Sequence, residues 1–197
     1  MRLTLVRHGR PDEGDTARPH DPPLRADGRR QAQAVAALLA GEGVTRVVAS
    51  PLLRAHQTAL PLAERLGLPV DTVDGWAEAD RHLARYRSTE TLRAQGEAEW
   101  ARFLADPVRY LGGDPEAFRA AVLGALQVSI DGEREAHVAV FTHGMPINVV
   151  LSHVLGLSKI IHFQPGYGSV TRLRARNAER IGVVSVNESG HHQLPLT

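Results

Sequence analysis

The sequence predicts an α/β fold: a three-layer sandwich, with a mostly parallel central sheet, helices on both faces and a small helical insertion. Three observations carry this. Short apolar runs that do not alternate, Leu3–Val6 and His137–Phe141 above all, have the texture of strands buried on both faces. Stretches with helical spacing of apolar residues separate them, as in parallel sheets whose crossovers are helices. No repeat or low-complexity linker breaks the chain, so its 197 residues, 43% of them hydrophobic, suit one domain spanning 1–197.

Leu3–Val6 is the first strand. Residues 10–26, rich in Pro, Asp and Gly, are a loop, and Ala26–Leu39 is a helix ended by Gly41 and Gly43. Arg46–Ala49 is a second short strand. In the helix that follows, Ser50 is the expected N-cap, Pro51 suits the first helical position, Pro61 should kink the helix and Gly67 ends it. Pro69–Val73 is a third strand. Residues of about 80–115 differ in texture: six arginines balance six acids, with Trp76 and Trp100 in or beside the segment, and the pattern is helical. This is the expected cap insertion. Pro115–Ile130 is an amphipathic helix, His137–Phe141 a buried strand and Gly144–Leu155 a helix, while 166–175 and 180–187 alternate as two last strands.

Composition excludes several classes. There is no cysteine, hence no disulfide, no thiolate metal site and no cysteine nucleophile. This fits a cytoplasmic location. No run of about 18 apolar residues suggests a membrane span, and the N-terminus lacks the apolar stretch of a signal peptide. With 23 basic and 22 acidic residues the net charge is +1, without the basic excess or stripe of a nucleic-acid binder. The expectation is therefore no nucleic acid and no membrane among the partners. The histidines His20, His56, His82, His137, His153, His162, His191 and His192 show no metal-ligand spacing. They are expected to be structural or surface groups, with His191-His192 an incidental or disordered tail. Neither a metal nor a cofactor is expected.

In open α/β sheets ligands bind beyond the carboxyl ends of the strands. Here the first strand ends in Arg7-His8-Gly9. The second leads to Ser50-Pro51 with Arg54 one turn on, the third leads to Gly75-Trp76-Ala77-Glu78-Ala79-Asp80, and a later one ends in Thr142-His143-Gly144. Parallel strands would gather these at one rim. Arginine offers a fork of donors matched to phosphate oxygens, and Arg54 and Gly144 stand near helix N-termini, which favour anions. A neutral imidazole is a competent nucleophile near pH 7. Each feature alone is better explained as a solvated rim, a surface helix residue or a turn acid. Together they point to a phosphorylated ligand.

The stretches LVRHGRPD, SPLLRAHQTA and FTHGMP, in that order, resemble the histidine phosphatase superfamily, whose fold is phosphoglycerate-mutase-like. PPLRADGRRQA and GWAEAD are similar to further segments of that family, so the resemblance covers at least residues 1–150. It implies a metal-independent phosphomonoesterase of the phosphatase branch acting on a small phosphorylated metabolite. By position, His8 would be the nucleophile, and Arg7, Arg54 and His143 would hold phosphoryl oxygens. Gly144 could donate a backbone N–H. Glu78 would be the acid and then the base, with Asp80 the competing choice. Two departures add charge near the expected entrance, where Arg10-Pro11 follows the RHG and Arg25 follows the Pro-Leu pair; Arg10 and Arg25 are therefore expected at the substrate. Trp76, Arg81, His82, Arg85, Tyr86 and Trp100 are candidates to line the pocket, the tryptophans otherwise forming a core for the insertion. A mutase, which returns the phosphoryl group to substrate, is the first alternative; its members resemble RHGE followed by Trp-Asn, a continuation missing here. The second is a non-catalytic phospholigand-binding module. Natural substrate and oligomeric state, a homodimer included, stay open.

Overall fold

The computed structural model describes residues 1–131, 136–177 and 180–193. Six strands form one mixed sheet: β1 (Arg2–Arg7), β2 (Arg46–Ala49), β3 (Val70–Thr72), β4 (His137–Thr142), β5 (Val170–Asn177) and β6 (Arg180–Glu188), in the order β3-β2-β4-β1-β5-β6. The first four in that order run parallel, and β5 and β6 are antiparallel to their neighbours. The parallel strands are the apolar, two-sided ones. In β1 every residue after Arg2 is buried, and β4 is buried throughout. Alternation is confined to the antiparallel edge, where β6 exposes Arg180, Gly182 and Val184 in turn.

Two hydrophobic layers flank the sheet. One face of β1, with Leu3 and Leu5, packs with Val138 and Val140 against α6 (Pro115–Ile130) and α7 (Gly144–Leu155). On the other, Val6, Ala139 and Phe141 pack against α1 (Ala26–Ala40) and α2 (Leu53–Leu66). Trp76 ends a short 3₁₀ turn, Asp74–Trp76, and is wholly buried in the first layer, its indole N–H donating to the Ser129 hydroxyl. It belongs to the main core and not to the insertion. The insertion itself holds three short helices, α3 (Thr89–Ala94), α4 (Glu97–Ala105) and α5 (Pro107–Tyr110). Among the described residues no helix is long and apolar enough to cross a membrane.

Helix α2 differs from expectation at its start. It begins at Leu53 with Leu52 as N-cap. Ser50 stands two residues too early, accepts from the Leu52 N–H and turns toward His143. The α2 N-terminus is served instead by Asp21 from the loop after β1, whose two carboxylate oxygens each lie 3.0 Å from the Leu53 N–H. The helix continues through Pro61 to Leu66.

Candidate active site

The adjacency of β1 and β4 builds the site. Arg7 is in register with Thr142, so the residues that leave these strands, His8 and His143, emerge side by side with ring centroids 5.0 Å apart. The chain then departs toward α1 on one face and α7 on the other, which opens a crevice between them. Gly9 and Gly28 let the first of these connections close. A Cβ on Gly28 would stand 2.1 Å from the Arg10 carbonyl oxygen, and one on Gly9 would stand 2.4 Å from that of Gly28. The loop that carries His8 therefore rests backbone to backbone on the start of α1. Thr58 of α2 pins it from below, accepting from the Gly9 N–H and donating to the Arg54 carbonyl.

A cavity of about 200 Å³ opens here, lined at its floor by Arg7, His8, Arg54, Glu78, Asp80 and Gly144. His8 is buried, and its Nδ1 lies 2.8 Å from the Gly9 carbonyl. A carbonyl only accepts, so Nδ1 carries the proton and Nε2 keeps its lone pair. Burial first, then the Arg54 and Arg7 charges, pushes the His8 pKa well below its ordinary value, so the ring is neutral. His143, on which burial and the same arginines act, is neutral too. Its Nε2 meets the Ser50 hydroxyl at 2.8 Å.

Arg7 donates from Nη1 to the Pro165 carbonyl at 2.6 Å, and its guanidinium lies 4.0 Å from the Tyr167 ring centroid. Arg54 has no exposed side-chain surface. It pairs with Asp80 at 3.1 Å, reaches Asp21 at 3.5 Å and lies over the Tyr86 ring. Although each arginine is anchored, Arg7 Nε, Arg54 Nε and His143 Nδ1 are buried without a hydrogen-bond partner among the described residues. Three orphaned ring or guanidinium nitrogens around one neutral imidazole fit an anion with several oxygens, and a phosphoryl group supplies them.

The two carboxylates differ. Asp80 is committed to Arg54. Glu78 accepts from its neighbour Ala79 and from the Met145 N–H in the first turn of α7. Burial and, second, the Asp80 charge raise its pKa to about 7. Such a carboxyl can hold or release a proton near neutrality.

Five of the residues singled out from sequence, Arg7, His8, Arg54, Glu78 and Gly144, thus line one cavity, and His143 packs directly beside His8. Arg10 and Arg25 do not come to it. Both are half-exposed and turn to Asp27 in the first turn of α1, at 3.5 and 3.4 Å. Tyr86 and Trp100 line the cavity, whereas Arg81 pairs with Asp74, His82 bonds the Leu111 carbonyl and Arg85 is exposed. The His191-His192 pair is no loose tail: His191 is buried on the Gly168 carbonyl and His192 bonds that of Tyr167, bracing the loop that faces Arg7. Tyr167, Asp21 and Thr58 were not legible as site residues. Only Asp21, an acid in a Pro-rich loop upstream of Ser50-Pro51, carries a signal as a remote helix cap.

The family model described as histidine phosphatase superfamily, branch 1, matches residues 3–189. The chain belongs to this superfamily. A Proteus mirabilis protein named probable phosphoglycerate mutase GpmB is 33% identical over 185 residues, 90% of this chain and 81% of its own. Phosphoserine phosphatase 1 of Hydrogenobacter thermophilus is 28% identical over 174 residues, covering 83% and 81%. Among solved structures, mycobacterial glucosyl-3-phosphoglycerate phosphatase in complex with VO3 shares the fold, with a TM-score of 0.76 and 24% identity over 95% of this chain and 99% of that one. The superfamily member described here thus has both mutase-named and phosphatase-named relatives.

Proposed function

We propose that the protein is a phosphomonoester hydrolase that works through a phosphohistidine on His8. The observation that carries this is the pairing of a neutral, buried imidazole with a free Nε2 lone pair and a carboxyl whose pKa is about 7, across one cavity. A binding module has use for the arginines but none for a carboxyl held at the edge of ionisation.

Arg7 Nε, Arg54 Nε and His143 Nδ1 receive the phosphoryl oxygens. The His8 Nε2 lone pair forms the N–P bond as the ester P–O bond breaks, and Glu78 gives its proton to the departing oxygen. The phosphorylated ring keeps its Nδ1 proton on the Gly9 carbonyl, which stabilises the positive charge that phosphorylation brings. Water then attacks phosphorus, ionised Glu78 takes its proton, the N–P bond breaks and phosphate leaves with His8 restored. Fixed donors aimed at the phosphoryl oxygens supply the electrostatic stabilisation.

The mutase reading rests on the name of the Proteus mirabilis relative. In that case the phosphoryl group returns to substrate and not to water. One experiment separates these readings: phosphate release from p-nitrophenyl phosphate measured beside interconversion of 2- and 3-phosphoglycerate. Release without interconversion supports the hydrolase; interconversion with little release overturns it.

A further inference from the structure

Above its floor the cavity changes character. Its walls are Leu92, Trp100 and Phe103 of α3 and α4, Leu111 after α5, and Ile161 and Phe163 from the segment after α7. Trp100 and Phe103 stack, with centroids 5.4 Å apart. The polar groups that share this wall are already engaged. Asn148 donates to the Gly144 and Phe163 carbonyls and accepts from the His162 and Phe163 N–H groups, which uses both amide hydrogens and its oxygen. Glu90 accepts from the Tyr167 and Thr89 hydroxyls and stays ionised: partial burial raises its pKa, but its own backbone N–H, the Arg7 charge and those hydroxyls together lower it further. The remaining polar side chains, Arg87, Arg93 and Gln164, are exposed at the mouth.

Resting on the hydrolase reading, we propose that this outer chamber takes the alcohol half of the substrate, and that the alcohol carries a compact apolar body such as one small ring or a branched chain. A small hydroxy acid offers little apolar surface to these six apolar walls, and among the described residues the only cations of the outer chamber, Arg87 and Arg93, stand exposed at its mouth beside Glu90. The size limits what is enclosed: about 200 Å³ is below the roughly 300–1,000 Å³ of pockets for drug-sized ligands, so a nucleotide or a long chain would extend out through the mouth.

The test compares primary-alcohol monoesters, whose leaving groups ask for similar acid assistance. Ethyl phosphate, 2-phenylethyl phosphate, phosphoserine and 3-phosphoglycerate are measured side by side, with p-nitrophenyl phosphate as the activated reference. The phenylethyl ester should exceed ethyl phosphate in kcat/KM by about ten- to hundredfold, the effect expected for burying one ring, and should exceed both carboxylate esters. Trp100→Ala should shrink that ratio severalfold. Inhibition by inorganic phosphate, which reads only the floor of the cavity, checks that the variant is folded, and the wild-type series stands without it. A ratio near one, or a carboxylate ester turned over fastest, overturns the inference while leaving the hydrolase reading intact. No turnover of any ester, the activated one included, overturns both.

Discussion

Exchanging the two buried carboxylates for amides should produce opposite phenotypes. Asp80 pairs with Arg54, whose side chain has no exposed surface and whose other acidic partner, Asp21, stands farther off at 3.5 Å. Breaking a buried pair typically costs about 3–5 kcal/mol, and an asparagine oxygen can still accept from Arg54, so Asp80→Asn belongs at about 3 kcal/mol. At roughly 2–4 °C per kcal/mol for a chain of this size, its melting temperature should fall by about 6–12 °C. Glu78→Gln removes a carboxyl whose folded pKa of about 7 lies above the ordinary 4.5. The stability this raised pKa contributes is full below about 4.5 and is lost as pH rises through about 7, so the variant should gain stability relative to wild type at alkaline pH. Activity should divide the other way. Glu78→Gln should lose about 10²–10⁴ in kcat on alkyl esters and much less on p-nitrophenyl phosphate, which needs little protonation. Its alkaline limb, the fall in kcat/KM as pH passes about 7, should disappear. Asp80→Asn should change both ester types by a similar factor and move that limb to lower pH, because Asp80 is the second cause of the raised Glu78 pKa. The measurements are thermal melts from pH 5 to 9 and pH profiles on both ester types. A loss selective for alkyl esters in Asp80→Asn, and absent in Glu78→Gln, refutes the assignment.

The remaining predictions test the other groups. Rapid-quench labelling with a phosphorylated substrate should trap acid-labile phosphate on wild type and none on His8→Ala; label that persists on the variant shows a different nucleophile. Arg54→Ala should weaken inhibition by inorganic phosphate roughly ten- to hundredfold, the worth of a hydrogen bond to a charged group, and an unchanged inhibition constant removes Arg54 from the phosphoryl site. On the proposed mechanism the arginines and His143 supply the donors for phosphoryl oxygens, so EDTA should leave turnover unchanged; activity lost to EDTA and restored by a divalent ion contradicts this. Gly28→Ala, whose Cβ meets the Arg10 backbone, should cost about 1–3 kcal/mol in urea unfolding, and a neutral result means the His8 loop moves freely over α1.

What could be read from sequence follows from where information is local. Parallel strands deliver their carboxyl ends to one edge, so Arg7-His8, Arg54, Glu78 and His143-Gly144 could be gathered before any coordinates. Helix termini set by Gly67 and by Pro115 were equally local. The chain hid whatever depended on the return of a distant loop. Ser50 has the composition of an N-cap but points at His143, because Asp21 arrives from 32 residues upstream to cap α2. Arg10 and Arg25 add charge near the entrance in sequence, yet Asp27 draws both away. Tyr167 has no periodic signature at all. Its place over Arg7 is fixed by the short connection into β5 and by His191 and His192, which arrive only after β6 has run back antiparallel.

The position of β1 between β4 and β5 has a consequence for biosynthesis. The strand that leads to His8 is synthesised well before both of its neighbours in the sheet: Thr4 bonds His137, 133 residues later, and the Met1 amine bonds the Ala175 carbonyl. At about 5–20 residues per second the first strand waits on the order of ten seconds with Leu3, Leu5 and Val6 unpaired. Throughout that interval His8 and Arg7 exist without His143, Glu78's partner Met145 or the Pro165 carbonyl, so a nascent chain has no phosphate site. The site is therefore completed late and all at once, and β1 presents unpaired edges until β4 emerges.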